Sequence, residues 1–207
     1  MLLAIDIGNT NVAFGVFKDE QLRATWRMAT VIPRMVDEYA ALLLNLLHHQ
    51  GLETSDIQEV VLCSVVPPLT ATFVELFQRY FYTSPLVVGA GVKTGVRIRQ
   101  DNPREVGTDR IVNAAAAHHL YRGPVIIVDM GTATTFDTVS KEGDHLGGAI
   151  APGINTAAEA LFTRAAMLPR VELVHPKHAI GTNTIAAIQS GIVFGYAGLV
   201  EGIVTRI

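Results

Sequence analysis

Two aspartates in this 207-residue chain each follow an apolar run and stand two residues before a glycine, in Asp6-Ile-Gly8-Asn9-Thr10-Asn11 and in Asp129-Met-Gly131-Thr132-Ala-Thr134. A strand-end carboxylate beside a glycine turn suits phosphate bound together with Mg²⁺. That ion takes oxygen ligands and keeps several of its waters, so one or two carboxylates suffice. Glycine lets backbone N–H groups approach phosphate oxygens closely, and Asn9, Thr10, Thr132 and Thr134 add short polar donors. Two such turns facing each other across a cleft would clamp a polyphosphate from both sides. A single Asp-x-Gly also reads as an ordinary surface hairpin. Its repetition, on strands more apolar than a surface hairpin requires, favours the phosphate reading.

A third polar cluster, Asp101-Asn102-Pro103-Arg104-Glu105-Val106-Gly107-Thr108-Asp109-Arg110, lies between apolar segments. Thr108 or Asp109 falls near a helix start, where capping alone explains either residue. In the alternative reading Asp109 is a general base toward a substrate hydroxyl, and Arg110 pairs with an anionic substrate or a phosphate. Other features are weaker. Gly89-Ala-Gly91-Val-Lys93-Thr94-Gly95 lacks the contiguous Gly-Lys-Ser/Thr of a P-loop. The adjacent pairs His48-His49 and His118-His119 point about 100° apart on a helix, whereas helical metal pairs sit three or four residues apart. Cys63 lies in an apolar run and reads as an inert core thiol.

Periodicity predicts the elements that must hold these residues. Residues 2–5 and 12–17 read as strands flanking the first turn, and residues 21–28 as a third strand in which Leu22, Ala24 and Trp26 alternate with polar neighbours. Met35, Tyr39, Leu42, Leu43, Leu46 and Leu47 then recur at helical steps before Gly51, which predicts an amphipathic helix with a glycine stop. Residues 59–66 read as a buried strand ended by Pro67-Pro68. A helix over about 70–82 and a strand at 86–88 follow. The alanine run at 114–117 supports a helix over about 107–121. A second strand–Asp-x-Gly–strand unit opens at Val125. A strand at 146–150, a helix at 155–164 and a long apolar, glycine-rich helix at 181–207 complete the chain. The repeated unit predicts two related α/β lobes, residues 1–110 and 111–207.

Composition narrows the class. Hydrophobic residues make up 49% and charged residues 17%, which excludes a disordered chain. A net charge of −3 gives no global positive field for nucleic acid or anionic lipid, so neither is an expected partner. One cysteine excludes an internal disulfide and a thiolate metal cage. The longest uninterrupted apolar runs, such as 60–66, fall short of the ~20 residues of a membrane span. No basic segment precedes the first apolar run, so a cytoplasmic protein is expected.

Asp6-Ile-Gly-Asn-Thr10, Asn102-Pro103 followed by Gly107-Thr-Asp109-Arg110, Asp129-Met-Gly-Thr132, and Gly147-Gly148-x-Ile150-x-Pro152-Gly153 occur in this order. Each is weak alone, but the ordered set is specific, and from Met1 to the end the chain resembles the type III pantothenate kinases. The resemblance implies the fold of the acetate kinase, Hsp70 and actin superfamily: an α/β protein with two ribonuclease-H-like lobes, their mixed sheets flanked by helices. It implies transfer of the ATP γ-phosphoryl group to the 4′-hydroxyl of pantothenate, the first committed step of coenzyme A synthesis. Asp6, Gly8, Asn9, Thr10 and Asn11 would form the first phosphate motif, with Asp6 toward Mg²⁺. Asp129, Gly131 and Thr132 would form the second, with Asp129 also at the metal. Asp109 matches the family's base, and Gly107, Thr108 and Arg110 its substrate-binding neighbours. Thr182 or Thr184 stands where the family has a threonine reaching the substrate of the partner subunit.

The resemblance also implies a homodimer and a monovalent cation, K⁺ or NH₄⁺, near ATP. For the dimer, the apolar 181–207 segment offers either a core helix or an interface. Many members carry a substrate-contacting tyrosine shortly before Asn-Pro. Gln100 and Asp101 occupy that stretch here, which makes Gln100 a candidate substrate contact. The family's C-terminal stretch with its Thr-Gly-Gly-type adenosine motif has no counterpart in the sequence, so the second lobe is expected to be incomplete. Two other readings use the same residues. One is another phosphotransferase or polyphosphate hydrolase of the superfamily, against which the Asn-Pro…Gly-x-Asp-Arg segment argues. The other is a catalytically silent member, for which the missing adenosine motif argues.

Overall fold

A computed structural model describes residues 1–89 and 91–207. The glycine-rich loop set aside above includes Ala90, which lies outside the described residues. The chain forms two units, Met1–Thr94 with Arg104–Val112, and Gly95–Pro103 with Asn113–Ile207.

In the first unit, β1 (Leu2–Ile7), β2 (Asn11–Lys18) and β3 (Gln21–Ala29) form an antiparallel meander. On the other side of β1 lies β4 (Glu59–Ser64), parallel to it, followed by the short β5 (Leu86–Val87), giving the order β3-β2-β1-β4-β5. Alternation decides which face is buried. Leu3, Ile5 and Ile7 of β1 and Val12, Phe14 and Val16 of β2 are buried in one cluster. They share it with Tyr39, Leu43 and Leu47 of α1 (Val36–His49) and Phe73, Leu76 and Phe77 of α2 (Pro67–Tyr80). Phe73 is central, its ring centroid 4.9 Å from that of Tyr39 and 6.0 Å from that of Phe14. The same alternation turns Asp6 to the opposite face and leaves it exposed. Helix α2 begins at Pro67, three residues before the sequence-based expectation. A first-turn proline loses no intrahelical hydrogen bond, so the Pro-Pro pair that stops β4 also opens α2.

In the second unit, β7 (Val125–Met130), β8 (Ala133–Val139) and β9 (Asp144–Pro152) repeat the meander. A two-residue strand, β6 (Arg97–Ile98), runs parallel to β9, and the order is β6-β9-β8-β7. β1 is flanked by β2 and β4, whereas β7 is an edge strand among the described residues. Helix α3 (Thr108–Tyr121) starts within the first unit and ends within the second. Helices α4 (Ile154–Arg164) and α5 (Thr184–Val204) complete the second unit, where Ile188, Ile192 and Tyr196 pack with Ile154, Ala157 and Leu168. Helix α5 begins at Thr184 rather than 181 because the Asn183 side chain accepts the Ala186 N–H at 2.9 Å, closing the N-terminus there.

One sequence expectation needs correction. Uninterrupted runs were too short to span a membrane, yet α5, 21 residues long with a hydropathy of 1.4, is long and apolar enough by length and composition to do so. Glycine and a few polar residues interrupt its apolar runs without lowering the mean much. Core helices and subunit-interface helices share this composition, and only 17% of its apolar window is buried.

Candidate active site

The first turn is set by the β1–β2 register, in which Asp6 pairs with Ala13 and Ile7 with Val12. Residues 8–11 must therefore reverse the chain. The Gly8 N–H donates to the Asn11 carbonyl at 2.9 Å, and Gly8 and Thr10 are tied to Thr30, just beyond the end of β3. The Thr30 hydroxyl donates to the Gly8 carbonyl at 2.7 Å, and the Thr30 N–H donates to the Thr10 carbonyl at 2.9 Å. Asn9, Thr10 and Asn11 remain exposed on a turn whose backbone is held at both ends.

Asp109 reaches the same strand ends by a separate route. β4 aligns Cys63 with Asp6 and Ser64 with Ile7. At the start of α3 the Thr108 hydroxyl donates to the Ser64 carbonyl at 2.8 Å, which fixes the helix N-terminus on the end of β4. The Asp109 carboxylate folds back to accept the Arg110 N–H at 2.8 Å. A Cβ at Gly107 would lie 2.5 Å from an Asp109 carboxylate oxygen, so glycine makes this fold-back possible. Cys63 reports the convergence electrostatically. Burial pushes its thiol up to about 11, a Thr108 hydrogen bond opposes this, and the charges of both Asp6 and Asp109 add to it. The carboxylates of Asp6, before the first turn, and of Asp109, at the start of α3, both act on this one thiol. It is the inert buried thiol the sequence predicts.

In the second unit the hairpin register pairs Asp129 with Thr135 and Met130 with Thr134, so this turn is one residue shorter than the first. The Gly131 N–H donates to the Ala133 carbonyl at 2.9 Å. The Asn113 amide of α3 donates to Asp129 at 3.0 Å, which orients the carboxylate. The Thr132 carbonyl accepts from the Gly153 N–H at 3.0 Å and from the Thr156 hydroxyl at 2.8 Å, so the N-terminus of α4 rests on the turn. Gly153 must be glycine, since a Cβ there would strike the carbonyl oxygens of Gly131 and Thr132.

The three remaining candidates occupy two separate places in this unit. Gln100 lies beside the buried His145, whose Nδ1 is 3.4 Å from its side-chain nitrogen. Thr182 and Thr184 line a cleft of about 720 Å³ with Leu161, Leu168, Asn183 and Ile188. Among the described residues no group of three or more His, Cys, Asp and Glu side chains could hold a metal, and neither histidine pair contributes one. A site of one or two exposed carboxylates beside turn amides, as at Asp6 or Asp129, still fits Mg²⁺ with its retained waters. Sequence reasoning missed Thr30, Ser64, Asn113 and Thr156, because a lone polar residue acting through a distant backbone contact leaves no local pattern.

The family profile described as type III pantothenate kinase matches residues 2–206. A type III pantothenate kinase of Dehalococcoides mccartyi strain BAV1 is 61% identical over 206 residues, covering 100% of this chain and 78% of the relative. One from Moorella thermoacetica is 56% identical, with 100% and 81% covered. Among solved structures, a conserved Baf-family protein from Campylobacter jejuni shares 21% identity at a TM-score of 0.57, over 97% of this chain and 78% of that one. The activator of 2-hydroxyisocaproyl-CoA dehydratase from Clostridium difficile, solved with bound ADPNP, shares 13% identity at 0.50, over 97% and 66%. At these identities the solved structures speak to the fold alone. The layout is the expected one, an α/β protein with two mixed sheets flanked by helices. With its ordered motifs matched along the whole length, the chain belongs to the type III pantothenate kinase family.

Proposed function

We propose that Asp109 accepts the proton of the pantothenate 4′-hydroxyl, and that the Gly8 and Gly131 turns each bind ATP phosphate oxygens. The overall reaction is that of the family, ATP-dependent phosphorylation of pantothenate at the entrance to coenzyme A biosynthesis. One observation supports the assignment of Asp109 above the rest: the Thr108 hydroxyl ties the start of α3 to the Ser64 carbonyl, one residue beyond Cys63, which pairs with Asp6 across β1 and β4. A carboxylate so placed, on a helix N-terminus fixed by Thr108, can orient a primary alcohol and take its proton as the phosphoryl group transfers. Phosphoryl transfer depends mainly on positioning and charge neutralisation. The turn amides and Arg110 supply part of that charge.

Asp6 and Asp129 are the carboxylates that would hold Mg²⁺, whose contribution when bound is neutralisation of phosphate charge. K⁺ or NH₄⁺ is a further proposed requirement. Gln100, Gly107, Thr108 and Arg110 are assigned to pantothenate, and Thr184, with Thr182 as its alternative, to the substrate of a partner subunit. Homodimerisation through α5 is part of this proposal, supported by exposed Ile185, Phe194 and Val204 on that helix. So is residence in the cytoplasm, where a lone cysteine stays reduced. The test is Asp109→Asn. It keeps the side-chain shape and removes the base, so kcat should fall by about 10²–10⁴ while the melting temperature stays close to that of the parent protein. Turnover near the parent value would remove Asp109 from the role of base.

A further inference from the structure

Asp137 and His145 form a buried pair that the reaction scheme above does not use. Their side chains are 1% and 0% exposed, and His145 Nε2 lies 2.6 Å from Asp137 Oδ1. Such a pair is costly to bury, and well-packed apolar residues of equal volume generally stabilise a core as well or better. Stability alone therefore gives little reason for it. Its far side does. Nδ1 of the same imidazole is 3.4 Å from the Gln100 side-chain nitrogen. The backbone holds the two in place, because β6 is zipped along β9 by Arg97 N–H to Gly143 carbonyl at 3.0 Å and Arg99 N–H to His145 carbonyl at 2.9 Å.

We infer that Asp137 and His145 are positioning residues that fix the amide orientation of Gln100, and through it the hydrogen-bonding face offered to pantothenate. The chain of donors has one direction. A carboxylate can only accept, so the ring proton sits on Nε2. In a ring that carries its one proton there, Nδ1 is an acceptor, and the NH₂ end of Gln100, which lies 3.4 Å from it, is the end that can meet it. The Gln100 carbonyl oxygen is left as an acceptor for a substrate O–H or N–H group. A glutamine that could flip would present donor and acceptor alternately; this one presents an acceptor. The inference rests on Gln100 as a pantothenate contact, which is part of the proposed function.

The test uses the full chain with two single variants and their double. His145→Gln keeps a donor for Asp137 and removes the Nδ1 acceptor. Gln100→Ala removes the oriented amide. Each should raise KM for pantothenate by about fivefold, the worth of one ordinary hydrogen bond. KM for ATP should hold, and the double variant should be no worse than either single one. Multiplying effects in the double variant, or a KM for pantothenate that only one of the singles changes, would overturn the relay. So would a general loss of stability with no change in KM. A ¹⁵N NMR measurement on the unsubstituted protein needs no turnover. It should show His145 as the Nε2–H tautomer and Gln100 NH₂ signals that shift in His145→Gln. The other tautomer, or unmoved signals, would overturn the relay independently of the reaction. A sound relay in a protein that fails to phosphorylate pantothenate would instead overturn the substrate reading.

Discussion

Gly153→Ala isolates the effect of one contact on the second Asp-x-Gly turn, proposed above to bind phosphate. Gly153 has φ −67° and ψ 153°, a conformation any residue adopts, so the new methyl brings no backbone strain. Fewer unfolded conformations should favour the variant by about 0.4–1 kcal/mol. All of the loss must therefore come from space. The added Cβ would lie 2.5 Å from the Thr132 carbonyl oxygen and 2.8 Å from its carbon, with the Gly131 carbonyl oxygen in the way as well. Carbon–oxygen contacts under 3.0 Å do not persist, and the Gly131 oxygen is the nearer of the two, so the turn or the start of α4 must retreat by at least about 0.8 Å. Overpacking of this kind costs about 1–3 kcal/mol. At about 2–4 °C per kcal/mol for a chain of this size, the melting temperature should fall by a few degrees. A 1 Å misplacement of a positioned group costs up to about 10² in rate. A shift of about 0.8 Å should lower kcat/KM for ATP about 40-fold on that scale, with KM for pantothenate much less affected. Thermal melts together with kinetics in which each substrate is varied separately read both effects. A lowered melt with unchanged kcat/KM for ATP would show that the turn does not bind phosphate, and an unchanged melt would refute the steric argument itself.

Other consequences are quickly stated. With its thiol pushed up to about 11 by burial, Cys63 is thiolate in only about one molecule in 10³ at pH 8, so a thiol reagent should label the native protein far more slowly than the unfolded one. Rapid labelling of native protein would contradict the packing at the strand ends. Sedimentation velocity should give a dimer, and Phe194→Asp, at an exposed position of α5 opposite the packed Ile188, Ile192 and Tyr196, should shift it toward monomer. A stable monomer in the unsubstituted protein would sink the interface.

The twin hairpins were legible because their cause is local. Alternating strands on either side of Asp-x-Gly produce a hairpin in both units, while the register, Asp6 with Ala13 but Asp129 with Thr135, differs by one residue and was not readable from the shared pattern. The stripe that buries Tyr39, Leu43 and Leu47 was legible for the same reason. β6 was not, since two residues carry no period and Arg97 is held by the Gly143 carbonyl far along the chain. The start of α5 was misplaced by three residues because a capping side chain, Asn183, decides it rather than the apolar pattern. In the site, motif residues were readable by type and order, but their supports were not. Thr30, Ser64 and Asn113 act across 22, 44 and 16 residues of sequence. The steric fit of Gly153 on the second turn emerges only when the two segments are brought together.

The most direct test of the account is a product assay with ATP, Mg²⁺ and K⁺, run with and without pantothenate. ADP and 4′-phosphopantothenate should appear in equal amounts, and only when pantothenate is present. ADP released equally in its absence, or no ADP in either case, would contradict the assignment.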